Sequence, residues 1–196
     1  MSIICTDKGR LEAFMKEELS DKRYTHSLGV EEMAVHLALV YGADVEKARF
    51  AGRYHDIAKC FDKERMNEYV RKYDLPDEYL NNTALAHSKV AAAILSNEYG
   101  VTDEDVLNAV RSHTTGRAGM SLLEEIVYVA DAIEKNRDYP SLRTLQKLAE
   151  TDLDAVCIIV MDFAVDMIIA KGREVDIATL EARDYMKNKI DNKDRR

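Results

Sequence analysis

A chain of 196 residues can bury one substantial core, and its 46% hydrophobic and 33% charged content is that of a globular rather than a disordered protein. Its 28 basic residues against 36 acidic ones give a net charge of −8 with no basic stripe, which excludes nonspecific nucleic-acid binding and leaves any phosphate-rich ligand to a local cluster or a metal. The opening "MSIICTDKGRLEAF" predicts no signal peptide, and the longest apolar run, 155–170, is too short for a membrane span and carries Asp162 and Asp166 on one face.

Apolar residues recur at steps of three and four almost throughout, without strand-like alternation, so the pattern predicts an all-α fold of about nine to eleven helices. In chain order these cover 8–19, 25–41, 44–58, 62–73, 86–99, 103–113, 120–136, 141–150, 152–171 and 177–190. Caps are expected at Asp44, Asp62, Thr102 or Asp103, Ser121, Ser141 and Asp176, stops at Gly42, Gly100 and Gly172, and connections at Pro76 and Pro140. No repeat, low-complexity tract or linker divides the chain, so residues 1–196 read as one domain with a frayed end at 192–196. Cys5, Cys60 and Cys157 form no CxxC pair and are odd in number, which predicts free thiols in a reducing cytosol.

The stretch "AGRYHDIAKCFDK" at 51–63 sets His55 and Asp56 side by side where a core face is expected. At about 100° per residue, His26 joins Gly29, Val30, Met33 and Leu37 on one stripe, and His55 continues Val45, Ala48 and Ala51. His87 leads Val90, Ala91, Ile94 and Leu95; His113 follows Val106 and Val110; Asp131 follows Leu123, Val127 and Ala130. Five helices are thus expected to aim a chelating side chain inward, with Asp56 as a sixth ligand. A single core histidine is ordinarily a hydrogen-bonded structural residue. Buried carboxylates are costly in their charged form, and two of them converging with four imidazoles are most simply stabilised by a divalent ion. That donor set suits iron, manganese, zinc or nickel better than magnesium. His36 falls off the stripe and is expected at the surface.

The order H…HD…H…H…D resembles the HD-domain metallophosphohydrolases. "RYTHSLGV" at 23–30, "HDIAK" at 55–59, "LAHSKVAA" at 85–92, "HTTGRAGMSLLEEIVYVADAIEKNRDYP" at 113–140 and "TLEAR" at 179–183 are similar to the YqeK-type group within them. That resemblance implies a bacterial, cytoplasmic hydrolase splitting diadenosine tetraphosphate symmetrically into two ADP. Two positions depart from the group's pattern: Lys135 stands where proline is common after the glutamate of the DxIE block, and Ser88 where glycine often follows the third histidine. Neither replaces a ligand; both bear on the substrate rim.

By resemblance, His26, His55, Asp56 and Asp131 form the primary metal site, with iron the leading metal and manganese or nickel the alternatives. His87 and His113 complete a second site bridged by Asp56 or touch phosphate, so the number of ions, one or two, stays open. Lys59, His87 and His113 are the expected catalytic residues. Lys59, one turn beyond His55 if the helix persists, would reach phosphate together with Arg23 and Arg137, and ordinary ion pairs are the alternative for Lys59 and Arg23. Thr114 and Thr115 of "HTTGR" would contact phosphate or ribose, while Arg117 is expected to be solvated. The core would span 20–172, with a C-terminal helix at 176–192 closing the nucleotide pocket through Asp176 and Thr179. ADP or GDP is the expected product-like ligand, with no nucleic-acid or membrane partner, and a homodimer is left open. The alternatives are a nucleotidase or guanosine tetraphosphate hydrolase on the same scaffold, and a non-catalytic nucleotide sensor.

Overall fold

A computed structural model describes residues 5–194, with side chains to residue 191. Among the described residues there are ten α-helices, one 3-10 turn at Asp77–Tyr79 and no strand. The helices are α1 (Lys8–Glu18), α2 (Asp21–Tyr41), α3 (Val45–Tyr54), α4 (Lys63–Lys72), α5 (Thr83–Tyr99), α6 (Glu104–Ser112), α7 (Leu122–Ile133), α8 (Leu142–Ala149), α9 (Leu153–Ala170) and α10 (Ile177–Asp194).

Local chemistry explains most boundaries. Asp44, Asp62 and Asp103 accept from first-turn amides as expected, and Ser121 with Glu124 forms a reciprocal capping box at α7. Two helices begin earlier than their apolar patterns suggest because polar residues cap them: Ser20 accepts from the Arg23 amide and Asn82 from the Leu85 amide. Ser141 stands at the start of α8 but makes no side-chain cap. Gly42, Gly100 and Gly172 all adopt left-handed backbone at helix ends. The backbone of α10 stays helical to Asp194, beyond the expected onset of fraying; the rest of that expectation, residues 195 and 196, lies outside the described residues.

The core is organised around α7. Leu123 through Ala130 and Ile133 are all buried, so this helix is covered on every side, as its nearly continuous apolar sequence requires. It packs against α2, α3, α6, α8 and α9. The helix α2 lies along α3, and α5 along α6; α2, α3 and α6 pack directly on α7, and α5 joins them through α6. Among the described residues no helix is long and apolar enough to cross a membrane, and the three cysteines are free.

Candidate metal centre

His26 lies on the inner face of α2 and His87 on that of α5, both buried. His55 and His113 are not on helices as expected: each is the residue at which a helix ends, α3 at Tyr54 and α6 at Ser112. After Tyr54 the chain continues in tight three-residue turns, Lys59 N–H donating to the Asp56 carbonyl at 2.8 Å and Phe61 N–H to the Ala58 carbonyl at 3.2 Å. Fully buried Ile57 and Ala58 anchor this segment, which carries no glycine or proline to announce the break. Lys59 therefore reaches the cluster from a turn, not from one helical turn beyond His55.

All four rings are anchored through Nδ1, three of them on main-chain carbonyls. Nδ1 of His55 lies 2.8 Å from the Gly52 carbonyl, that of His87 3.3 Å from Thr83, and that of His113 2.7 Å from Val110. Nδ1 of His26 instead faces a carboxylate, Glu134 Oε1 at 3.1 Å. A proton on each Nδ1 leaves each Nε2 lone pair aimed at the centre.

There the side chains converge. His26 Nε2 is 3.0 Å from Asp131 Oδ1 and 3.9 Å from Asp56 Oδ2; His55 Nε2 is 3.5 Å from Asp56 Oδ2 and 3.9 Å from Asp131 Oδ1. The other oxygen of Asp56 faces His87 Nε2 and His113 Nε2, each at 3.3 Å, and those two nitrogens are 3.2 Å apart. Asp56 thus stands between two half-sites. Ligand atoms lie close enough to share one ion in two sets, His26–His55–Asp131 and His55–Asp56–His113.

Burial pushes the Asp56 carboxyl up, but the imidazoles of His55, His113 and His87 around it outweigh burial and hold it well below the usual carboxylate range. Asp131 is likewise driven down against burial by His26, His55 and Arg137. Burial lowers His55, yet Asp56 and Asp131 bring it above the ordinary imidazole value. His87 is lowered by burial and Lys59, and His113 is brought down to about 4 chiefly by burial. Near neutral pH these last two rings are neutral and free to donate lone pairs.

Lys59 Nζ and Thr114 Oγ1 approach His87 Nε2 at 3.1 and 3.0 Å. Arg23 pairs with Asp56 Oδ2 at 2.8 Å and Arg137 with Asp131 Oδ1 at 2.6 Å, so both expected phosphate contacts are ion pairs at the rim. The structure does not bring the remaining candidates to the cluster. Buried Thr115 donates to the Gly116 carbonyl, and Asp176 caps α10 by accepting from the Ala178 amide at 2.9 Å. Thr179 is buried in the first turn of α10, one turn before Ala182, which packs beside Gly116. Arg117 is exposed as expected, and it also grips buried Glu124 through two hydrogen bonds of 2.5 and 2.6 Å. Ser88 is buried and donates to the Leu85 carbonyl, Lys135 pairs with Glu32 at the surface, and His36 is exposed as expected. Sequence reasoning passed over Glu134 and Asn136. The available signal was a carboxylate one turn beyond Asp131, at the end of an apolar helix.

The donor set fits a divalent ion on an observation internal to the fold: His26 Nε2, His55 Nε2 and Asp56 Oδ1 are fully buried and have no hydrogen-bond partner. Buried polar atoms are almost always satisfied, and divalent cations held by the His26–His55–Asp131 and His55–Asp56–His113 sets would satisfy these three. An all-helical fold that gathers imidazoles and carboxylates around an adjacent His-Asp pair defines the class of metal-dependent HD-domain phosphohydrolases. The HD domain family profile matches residues 23–136. The symmetrical bis(5'-nucleosyl)-tetraphosphatase of Bacillus subtilis (strain 168) is 45% identical over 147 residues, covering 74% of this chain and 79% of that protein. The protein of the same description from Halalkalibacterium halodurans is 38% identical over 175 residues, covering 89% and 94%. A crystal structure from Clostridium acetobutylicum, described as a predicted HD superfamily hydrolase involved in NAD metabolism, matches with a TM-score of 0.86 and 40% identity over 92% of this chain and 96% of its own. The chain belongs to the HD domain family and, within it, to the YqeK-type symmetrical bis(5'-nucleosyl)-tetraphosphatases.

Proposed function

We propose that this chain hydrolyses diadenosine tetraphosphate symmetrically to two ADP at a divalent-metal centre. The observation that carries the reading is the convergence of unsatisfied His26 Nε2, His55 Nε2 and Asp56 Oδ1 beside the Lys59 ammonium. His26, His55, Asp56 and Asp131 would hold the primary ion. His87 and His113 would hold a second or contact phosphate, with Asp56 facing both. Iron is the proposed metal, with manganese or nickel as alternatives, because mixed imidazole and carboxylate donors suit these ions. When bound, the ion supplies an activated water near neutral pH and neutralises charge on the attacked phosphate.

The protein's own groups do the rest. Lys59 and Thr114, both on His87 Nε2, place a cation and a hydroxyl donor where phosphate oxygens would sit. Arg23 and Arg137 hold Asp56 and Asp131 in place and present their remaining N–H groups at the rim. Symmetrical cleavage requires attack on the phosphate two units from one nucleoside. The start of α10, with Asp176 and Thr179, and buried Thr115 are proposed to frame the pocket that retains ADP or GDP, supported by the packing of α10 on the Gly116 turn. The cytoplasm is the proposed compartment, supported by three free cysteines.

Other nucleotide phosphohydrolases could use the same centre, so rates on three substrates test the reading. We expect kcat/KM for diadenosine tetraphosphate to exceed that for ADP or guanosine tetraphosphate at least ~10²-fold. Faster release of orthophosphate from ADP, or of pyrophosphate from guanosine tetraphosphate, would overturn it.

A further inference from the structure

We propose that Glu134 is a positioning residue: it keeps the His26 proton on Nδ1 and so presents Nε2 to the divalent ion. The inference rests on the metal reading above. Glu134 is 1% exposed, and three donors converge on its carboxylate. They are His26 Nδ1 at 3.1 Å, the Asn136 backbone N–H at 2.7 Å and Asn136 Nδ2 at 2.8 Å. His55, His87 and His113 donate to main-chain carbonyls, whereas His26 alone donates to a carboxylate. A carboxylate behind an imidazole fixes its tautomer and raises the basicity of the opposite nitrogen.

The fold makes room for this contact. Gly29 lies one turn after His26 on α2, and a Cβ there would fall 2.1 Å from Glu134 Oε2 and 2.8 Å from Asn136 Nδ2. Glycine inside a helix costs about 1 kcal/mol relative to alanine, so the vacancy is a feature of the packing that propensity opposes. Asp131, three residues before Glu134, approaches the opposite nitrogen of the same ring at 3.0 Å without a hydrogen bond. One segment leaving α7 therefore brackets His26 from both ends. A cation shared by Nε2 and Asp131 makes that second approach favourable while the proton stays on Nδ1.

The test uses zinc as a diamagnetic probe, titrated into the wild type, Glu134→Gln, Glu134→Ala and Gly29→Ala in competition with a chelator. Glu134→Ala and Gly29→Ala are expected to weaken zinc binding about 10–100-fold, and near-isosteric Glu134→Gln about 10-fold. In the zinc-loaded protein the His26 Nδ1 proton should resonate far downfield, as one shared with a carboxylate, and move upfield in Glu134→Gln. Should Glu134→Ala fail to fold, Glu134→Gln carries both readouts. Wild-type affinity and an unmoved proton in Glu134→Gln would overturn the proposal and reduce Glu134 to a tie between α2 and the segment after α7. A wild-type protein that takes up no zinc would overturn the metal reading itself, and the proposal with it.

Discussion

His55 and Lys59 are four residues apart and are assigned different work, which substitution can separate. His55 is fully buried with an unsatisfied Nε2 and a backbone-anchored Nδ1. His55→Ala is expected to release the metal and abolish turnover; metal analysis beside the assay checks it, and full activity at unchanged metal content would contradict it. Lys59 touches the cluster only through His87. Lys59→Ala should keep its metal and lose about 10²-fold in kcat, the scale of one donor stabilising developing charge. Loss of the metal instead would make Lys59 part of the metal scaffold. At this scale the sequence was legible wherever helical phase decides: His26 and His87 face inward and His36 outward. It was less legible for Arg23 and Arg137, because a cation spaced to reach phosphate is equally spaced to reach the carboxylate that holds the metal.

Among the elements, α10 is tied to the core by a buried charge cluster. Lys189 donates to Glu125 of α7 at 2.7 Å and to Asp154 of α9 at 2.8 Å. Burial pushes the Glu125 carboxyl up from 4.5 to about 7, only partly opposed by Lys189 and reinforced by Asp154. A carboxyl with a raised pKa binds its proton more tightly in the folded chain. The associated stability is therefore full below pH 4.5 and lost as pH rises through 7. Urea unfolding of the wild type should show a loss of about 2 kcal/mol between pH 5 and 8 that Glu125→Gln does not share. Parallel curves for the two proteins would contradict this. Helix number and the caps at Asp44, Asp62, Asp103, Ser121 and Asp176 were readable because aspartate, serine and glycine signal boundaries locally; those at Ser20 and Asn82 were not, and Ser141 makes none. The end of α3 was not, since burial of Ile57 and Ala58 sets the turns at 55–60 rather than any breaker residue. The contacts of α10 were unreadable for a related reason: a lysine in a helix does not reveal which distant carboxylates will receive it.

For the whole molecule, the six chelating residues come from five separate stretches between His26 and Asp131, so a bound ion cross-links most of the core. An ion that binds only the folded chain stabilises it by about 2.7 kcal/mol at a hundredfold excess over its Kd. For a domain this size that corresponds to a Tm about 5–10 °C higher than after chelation, measurable by calorimetry with and without chelator. Equal melting temperatures would mean that the cluster binds nothing. All-α architecture and the ligand set were legible because periodicity and spacing survive in one dimension. The local setting of Asp176 and Thr179, a cap and a buried first-turn residue of α10, was not, since packing across 100 residues decides it. The central claim, metal-assisted attack on an inner phosphate, is tested most directly by hydrolysing diadenosine tetraphosphate in ¹⁸O-water with the iron-loaded protein and weighing the products. The account predicts ADP alone, half of it carrying one ¹⁸O on the terminal phosphate. ATP with AMP, or the same turnover after removal of the metal, would contradict it.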